Sequence, residues 1–177
     1  MENKEKDQLN EYIISAFTEN HTGVLNRITS VFLRRKINIE NIKVSESPVK
    51  GISLFTIVAY TTEETVQTLV KQMDRIVDVL RAEYYTAENL ISQEVALFKT
   101  TKDIFRSDNI EQISRKHPLR VLEVNDDYVV LEKTGYKEDV DALRDELKNR
   151  GLLIQLSRSG SVILHRETLE ETINGII

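Results

Sequence analysis

Residues 20–27, Asn20-His21-Thr22-Gly23-Val24-Leu25-Asn26-Arg27, join an apolar run, Tyr12 to Phe17, to a stretch with helical periodicity. The run reads as a strand that stops at polar Thr18-Glu19-Asn20. After the turn at Thr22-Gly23, the apolar residues Val24, Ile28, Val31 and Phe32 fall at i, i+4, i+7 and i+8, one face of a helix. A strand that feeds a helix through a small glycine turn leaves unpaired backbone N–H groups at the helix start, suited to an anion such as a carboxylate. No catalytic set accompanies the turn, so it reads as a small-ligand site and not an active site.

Working outward, Ile37 to Val44 alternates apolar and polar residues with one slip, which predicts a bulge or a late strand start. Ser47-Pro48-Val49-Lys50-Gly51 is a loop, and Ile52 to Tyr60 is a strand rich in β-branched and aromatic residues. Thr62 is placed to cap a second helix, with Glu63 and Glu64 in the first turn and Val66, Leu69, Val70 and Met73 on its apolar face. Ile76 to Tyr85 closes the unit as a strand. The order βαββαβ predicts a ferredoxin-like sandwich.

After a polar stretch, Thr86 to Ser92, the same order returns. Glu94 to Thr100 reads as a strand, and Asp108 to Lys116 as a helix stopped by His117-Pro118. Leu119 to Val124 and Tyr128 to Lys133 form a hairpin around Asn125-Asp126-Asp127. Val140, Leu143 and Leu147 mark a helix ended by Gly151, and Leu152 to Leu156 is the last clear strand, before a tail that begins at Val162-Ile163-Leu164. The fold class is therefore α+β, two ferredoxin-like βαββαβ sandwiches. The expected boundaries are a tail over 1–8, a first domain over 9–85, a linker over 86–92, a second domain over 93–166 and a tail over 167–177. Each half is of marginal size for a core, and each open sheet leaves edges to protect, which points to a homodimer.

Composition narrows the functional classes. The chain has 177 residues, 40% hydrophobic and 30% charged, the profile of a globular protein. No apolar run is long enough for a membrane span, and the first residues do not form a signal peptide. The absence of cysteine excludes disulfides and thiol catalysis and fits the cytoplasm. A net charge of −5 gives no electrostatic case for nucleic acid or a membrane surface. His21, His117 and His165 are too scattered to signal a metal site by spacing.

The stretch Glu19 to Arg27 resembles the E-N-x-x-G-[AV]-L-x-R signature of ACT domains, and Arg35, Asn38-Ile39-Glu40 and Ile42 resemble its continuation. Val77-Asp78-Val79-Leu80, Glu94 to Lys99, Ser157-Arg158-Ser159-Gly160 and the second βαββαβ half are similar to the small, regulatory subunits of acetolactate synthase. That resemblance spans roughly Tyr12 to Arg166. It implies a subunit that binds the large catalytic subunit, raises its activity and confers feedback inhibition by valine or another branched-chain amino acid. Thiamine diphosphate, magnesium and FAD would belong to the large subunit, with no cofactor, metal or catalytic residue in this chain.

The resemblance also implies an effector site at Asn20, Gly23, Val24, Leu25, Asn38 and Ile39, between two ACT domains, with Asn38-Ile39 facing the partner's glycine turn. The N–H groups of Gly23, Val24 and Leu25 would receive the effector carboxylate. Asn20 and Asn38 carry donors and acceptors without net charge, and Ile39 or Val24 would touch the aliphatic side chain. His21 adds a group capable of local pH sensitivity. Lys36 stands where the family often has glycine, so the helix exit is expected to differ and to shift Asn38.

Blander readings compete. Taken alone, Asn20 and Thr22 are helix caps, Gly23 a turn glycine, Asn38-Ile39 a strand entrance, Arg34-Arg35-Lys36 a solvated helix end and Arg158-Ser159-Gly160 a strand terminus. An RNA-binding module is disfavoured because Ile52, Leu54 and Ile57 occupy the stacking positions of the relevant strand. A free-standing ACT sensor for another enzyme or a transcription factor would share the site but not the second half. An independent catalyst lacks any compact histidine–carboxylate motif.

Overall fold

β1 (Asn10–Glu19) is buried from Tyr12 through Thr18, because it is an inner strand with both faces covered. The computed structural model describes residues 9–106 and 109–165. The expected tails over 1–8 and 167–177, Arg166 and Asp108 lie outside the described residues. β1 leads into α1 (Val24–Arg34), then β2 (Asn41–Glu46), β3 (Ile52–Thr61), α2 (Glu63–Met73) and β4 (Val79–Tyr85). The sheet order is β2-β3-β1-β4, with all pairings antiparallel.

Side chains at alternate positions of β1, including Tyr12, Ile14 and Ala16, meet Val24, Ile28, Val31 and Phe32 of α1 and Val66, Leu69 and Met73 of α2 in one core. The apolar face read from the α1 spacing is the buried face. On the other side of the strand, Ile13 packs with Val58 and Leu90, joined by Tyr85 and Ile163. Thr62 caps α2 as expected, its hydroxyl accepting from the Thr65 N–H at 3.3 Å.

Besides shifts of a residue or two at strand ends, boundaries differ from the sequence expectation in three places. β2 begins at Asn41 and not at Ile37, because the Ile37 N–H is bonded to the Phe32 carbonyl at 3.1 Å. The slip in the alternation is thus a late strand start. β4 begins at Val79: Ile76 N–H bonds to Met73 and Val79 N–H to Ile76, so Ile76 to Asp78 make a turn after α2. The stretch expected as a linker holds a single 3-10 turn, Ala87–Asn89, and β5 (Leu90–Thr101) starts immediately, with Leu90 buried.

The second half contains a 3-10 turn at Lys102–Phe105, α3 (Asn109–Lys116), β6 (Arg120–Val124), β7 (Tyr128–Gly135), α4 (Lys137–Asn149), β8 (Leu153–Arg158) and β9 (Val162–His165). Its sheet runs β6-β7-β5-β8, the same order as the first, with β9 pairing on β5. Phe98, Ile104, Ile113, Leu131, Val140, Leu143 and Leu147 lie in its core. The chain divides into two compact units between Ile91 and Ser92 and returns to the first at Ile163. Among the described residues no helix is long and apolar enough to cross a membrane.

Two segments singled out in the second half are neighbours on this sheet. Ala96 of β5 pairs with Arg158 of β8, and Arg158 is ion-paired to the buried Glu94 and to Asp141 at 2.7 Å. Ser159 exchanges two bonds with the Val95 backbone. Arg158-Ser159-Gly160 therefore clamps the start of the domain in addition to ending a strand.

Between α3 and α4, Glu146 accepts from Arg150 at 2.6 Å and lies 3.1 Å from His117 Nε2. Burial opposes ionisation of Glu146, but the bonds from Arg150 and His117 outweigh it and hold the carboxyl below its ordinary 4.5. A depressed acid stabilises the fold above its unfolded value, and that stability is lost as pH falls through the folded one. Glu146→Gln is expected to cost about 1–2 kcal/mol at pH 7. In urea melts across pH, that difference should shrink below about 4.5. A penalty that is constant with pH would contradict this origin.

Candidate functional site

The turn after β1 is set by Gly23, whose φ of 90° lies in the left-handed region that glycine adopts without strain. Gly23 is the N-cap residue of α1, and no side chain bonds to the helix start. Asn20 and Thr22, expected as caps when read alone, therefore do not cap it. The first turn also contains no acidic residue, so the positive end of the helix has no anion from its own first turn. Nothing lies within 4 Å of where a Cβ on Gly23 would stand. Gly23 itself is exposed, and the N–H groups of the first turn receive no side-chain cap, the condition in which a helix start accepts a carboxylate.

The candidate side chains divide by burial. Asn20, Leu25 and Asn38 are exposed, and the Asn20 backbone N–H is anchored to the Gly51 carbonyl at 2.9 Å. Val24 is 2% exposed and belongs to the core, which leaves its backbone N–H, not its side chain, to a ligand. Ile39 is half-buried against the same core. The Asn38 amide donates to Glu40 at 2.6 Å.

The fold separates the two halves of the motif. Glu19 at the end of β1 pairs with Ile52, whereas Asn41 at the start of β2 pairs with Val58, toward the other end of β3. β1 and β2 both run antiparallel to β3, so the end of one and the beginning of the other lie at opposite ends of the sheet. The 11 residues of α1 span the gap, about 16 Å. Within one chain, Gly23 and Asn38-Ile39 do not form a common pocket.

Lys36 does not disturb the helix exit. It adopts φ 56°, the left-handed conformation a glycine would take. Ile37 N–H bonds to Phe32 and Lys36 N–H to Leu33, a complete Schellman closure. α4 ends the same way, with Gly151 at φ 68° and bonds from Leu152 to Leu147 and from Gly151 to Lys148. The expected shift of Asn38 has no structural basis, because the hydrogen bonds impose the conformation and lysine bears its cost.

Asp78 was placed in a strand by its sequence, and the structure puts it beneath the glycine turn. Its Oδ2 lies 2.6 Å from Arg27 and its Oδ1 3.5 Å from His21 Nδ1, while its carbonyl accepts from the Glu19 N–H at 2.9 Å. His21 Nδ1 is also 3.2 Å from Glu19. Glu19, His21 and Asp78 bring potential metal ligands within 4.8 Å of one another. Arg27 already supplies the positive charge there, so the group reads as an ion-pair network that fixes the turn. The only sequence signal for Asp78 was its place in Val77-Asp78-Val79-Leu80; a contact across 57 residues has no periodicity to reveal it.

The comparisons with known proteins agree across both units. The model of the family described as "AHAS small subunit-like ACT domain" matches residues 14–81, and that described as "Small subunit of acetolactate synthase" matches residues 93–167. The acetolactate synthase small subunit of Bacillus subtilis is 32% identical over 160 residues, covering 90% of this chain and 92% of that protein. A probable acetolactate synthase small subunit of Methanothermobacter thermautotrophicus is 32% identical over 157 residues, covering 88% and 92%. The crystal structure of the acetolactate synthase small subunit of Thermotoga maritima covers 90% of this chain and 99% of its own, with a TM-score of 0.78 at 26% identity.

Replacing Lys36 by glycine should relieve about 1–2 kcal/mol of left-handed strain while restoring about 0.5–1 kcal/mol of unfolded-state entropy. The expected net gain is about 0.5–1 kcal/mol in equilibrium denaturation. Destabilisation by this change would show that the exit is not strained.

Proposed function

Because the chain belongs to the acetolactate synthase small-subunit family, we propose that it binds the catalytic large subunit in the cytoplasm, activates it, and makes it subject to feedback inhibition by valine or another branched-chain amino acid. In this reading thiamine diphosphate, magnesium and FAD, and all catalytic residues, belong to the large subunit. Residues 9–85 form the amino-acid-binding ACT domain. The observation that carries the effector site is the uncapped helix start at Gly23, open to solvent and without a carboxylate of its own. The second unit, with its Glu94–Arg158 clamp, favours this reading over a free-standing sensor.

The separation of about 16 Å within one chain supports a site completed by two copies. A two-fold axis that sets two α1 helices antiparallel brings Gly23 of one copy to Asn38-Ile39 of the other, twice. Leu25 and Leu33 on α1 are 48% and 76% exposed, and Val44 on the edge strand β2 is 47% exposed, apolar surface that such pairing would cover. The ammonium would go to the Asn20 and Asn38 oxygens, and the carboxylate to the N–H groups of Gly23, Val24 and Leu25. Effector binding then favours one arrangement of two copies, and inhibition is the difference in its affinity for two states.

Calorimetry of the full chain with valine, leucine and isoleucine should give saturable heat for at least one of them. Gly23→Asp places a carboxylate against the ligand's own, in a conformation aspartate tolerates better than most residues. It should weaken effector binding by more than about tenfold and abolish inhibition while activation of the large subunit persists. Normal inhibition of that variant would place the site elsewhere.

A further inference from the structure

A cleft of ≈ 410 Å³ runs beside α1, between Arg27, Ser30 and Arg34 on the helix and Ile76, Val77 and Asp78 in the turn before β4. The three helix residues stand at i, i+3 and i+7, so they share one side of α1. Val77 is 95% exposed, and nothing in the packing of the unit accounts for a valine at that tip. A single exposed apolar residue is ordinary on a protein surface. This one stands at a cleft whose lining carries Arg27 and Arg34 against Asp78 alone, and Arg34 makes no ion pair among the described residues. That local excess of positive charge sits on a chain whose net charge is −5.

Arginine is enriched among the residues that carry binding energy at protein interfaces, and an exposed valine beside it adds apolar area for a partner to cover. We propose that this cleft docks the catalytic large subunit, through an acidic segment that pairs with Arg34 and Arg27 and an apolar notch that receives Val77. The proposal rests on the reading above that the chain serves such a subunit. The wall formed by Ile76 and Val77 argues for a protein over a small hydrated anion, which would use the arginines and gain nothing from the valine.

Asp78 links this surface to the effector turn. It forms part of the cleft wall, and it holds Arg27 on one oxygen, His21 on the other and the Glu19 N–H on its carbonyl. A ligand that repositions the Gly23 turn changes the tether on Asp78, and with it the placement of Arg27 and Val77. Asp78 thus joins the cleft to the effector turn, the contiguous element that coupling between them requires. Toward the effector Asp78 is a positioning residue, acting through the Gly23 turn.

The test uses full-length Val77→Asp and Arg34→Glu beside the wild type, with purified large subunit titrated at two salt concentrations. Each variant should bind the large subunit about thirtyfold more weakly. Arg34→Glu should also flatten the salt dependence. Valine binding to the isolated chain and its unfolding midpoint should not move, which separates docking from folding and from the effector site. Wild-type affinity in both variants overturns this docking site alone. So does loss of self-association in sedimentation with large-subunit binding intact, which assigns the cleft to a second copy. A wild-type chain that does not bind the large subunit overturns both this docking site and the proposed function.

Discussion

The burial of β1 on both faces organises the first unit. A strand whose Ile13 and Ile14 are both removed from water must have strand neighbours on each side and a layer above and below. β3 and β4 supply the neighbours, α1 and α2 one layer, and Leu90 with Ile163 part of the other. The strand also has to leave the sheet sharply for α1 to fold back over it. Gly23 makes that reversal possible, and the same reversal leaves the helix start uncapped. The chain reversal and the uncapped helix start share one cause.

This economy has a consequence for assembly. Because α1 runs the length of the sheet, the residues before it and those after it are held apart at its two ends. In the proposed function neither half alone grips both the charged groups and the side chain of a small amino acid, and two copies related by a two-fold axis would complete the site without any change in either chain. Asp78 adds a second connection, from the turn to the arginine-lined cleft on the other side of the helix.

Helix content was legible because periodicity depends on neighbours within a turn. Val24, Ile28, Val31 and Phe32 announced the buried face of α1, and Thr62 its role as a cap. Strand limits were less legible. Ile37 and Ile39 alternate as strand residues do, yet they pack on the core while the backbone is still completing the helix closure. Val77 has the residue type of a strand and stands at the tip of a turn, because Ile76 and Val79 are engaged by Met73 and by each other. Lys36 went the other way: its side chain predicted a disturbed exit, and the hydrogen bonds of the Schellman closure prevailed over its conformational preference.

What the sequence by itself determined was the repeated βαββαβ order, the apolar faces with Val24 among them, the helix between Gly23 and Asn38, and the glycine turn that marks the candidate site, all of them consequences of local stereochemistry and of spacing along the chain. The tertiary structure alone decided that β1 ends and β2 begins at opposite ends of the sheet, so that Gly23 and Asn38 share no pocket, and that Asp78 lies beneath the turn. Those facts depend on strand direction and on contacts across dozens of residues, where the pattern of neighbours along the chain carries no information about who meets whom.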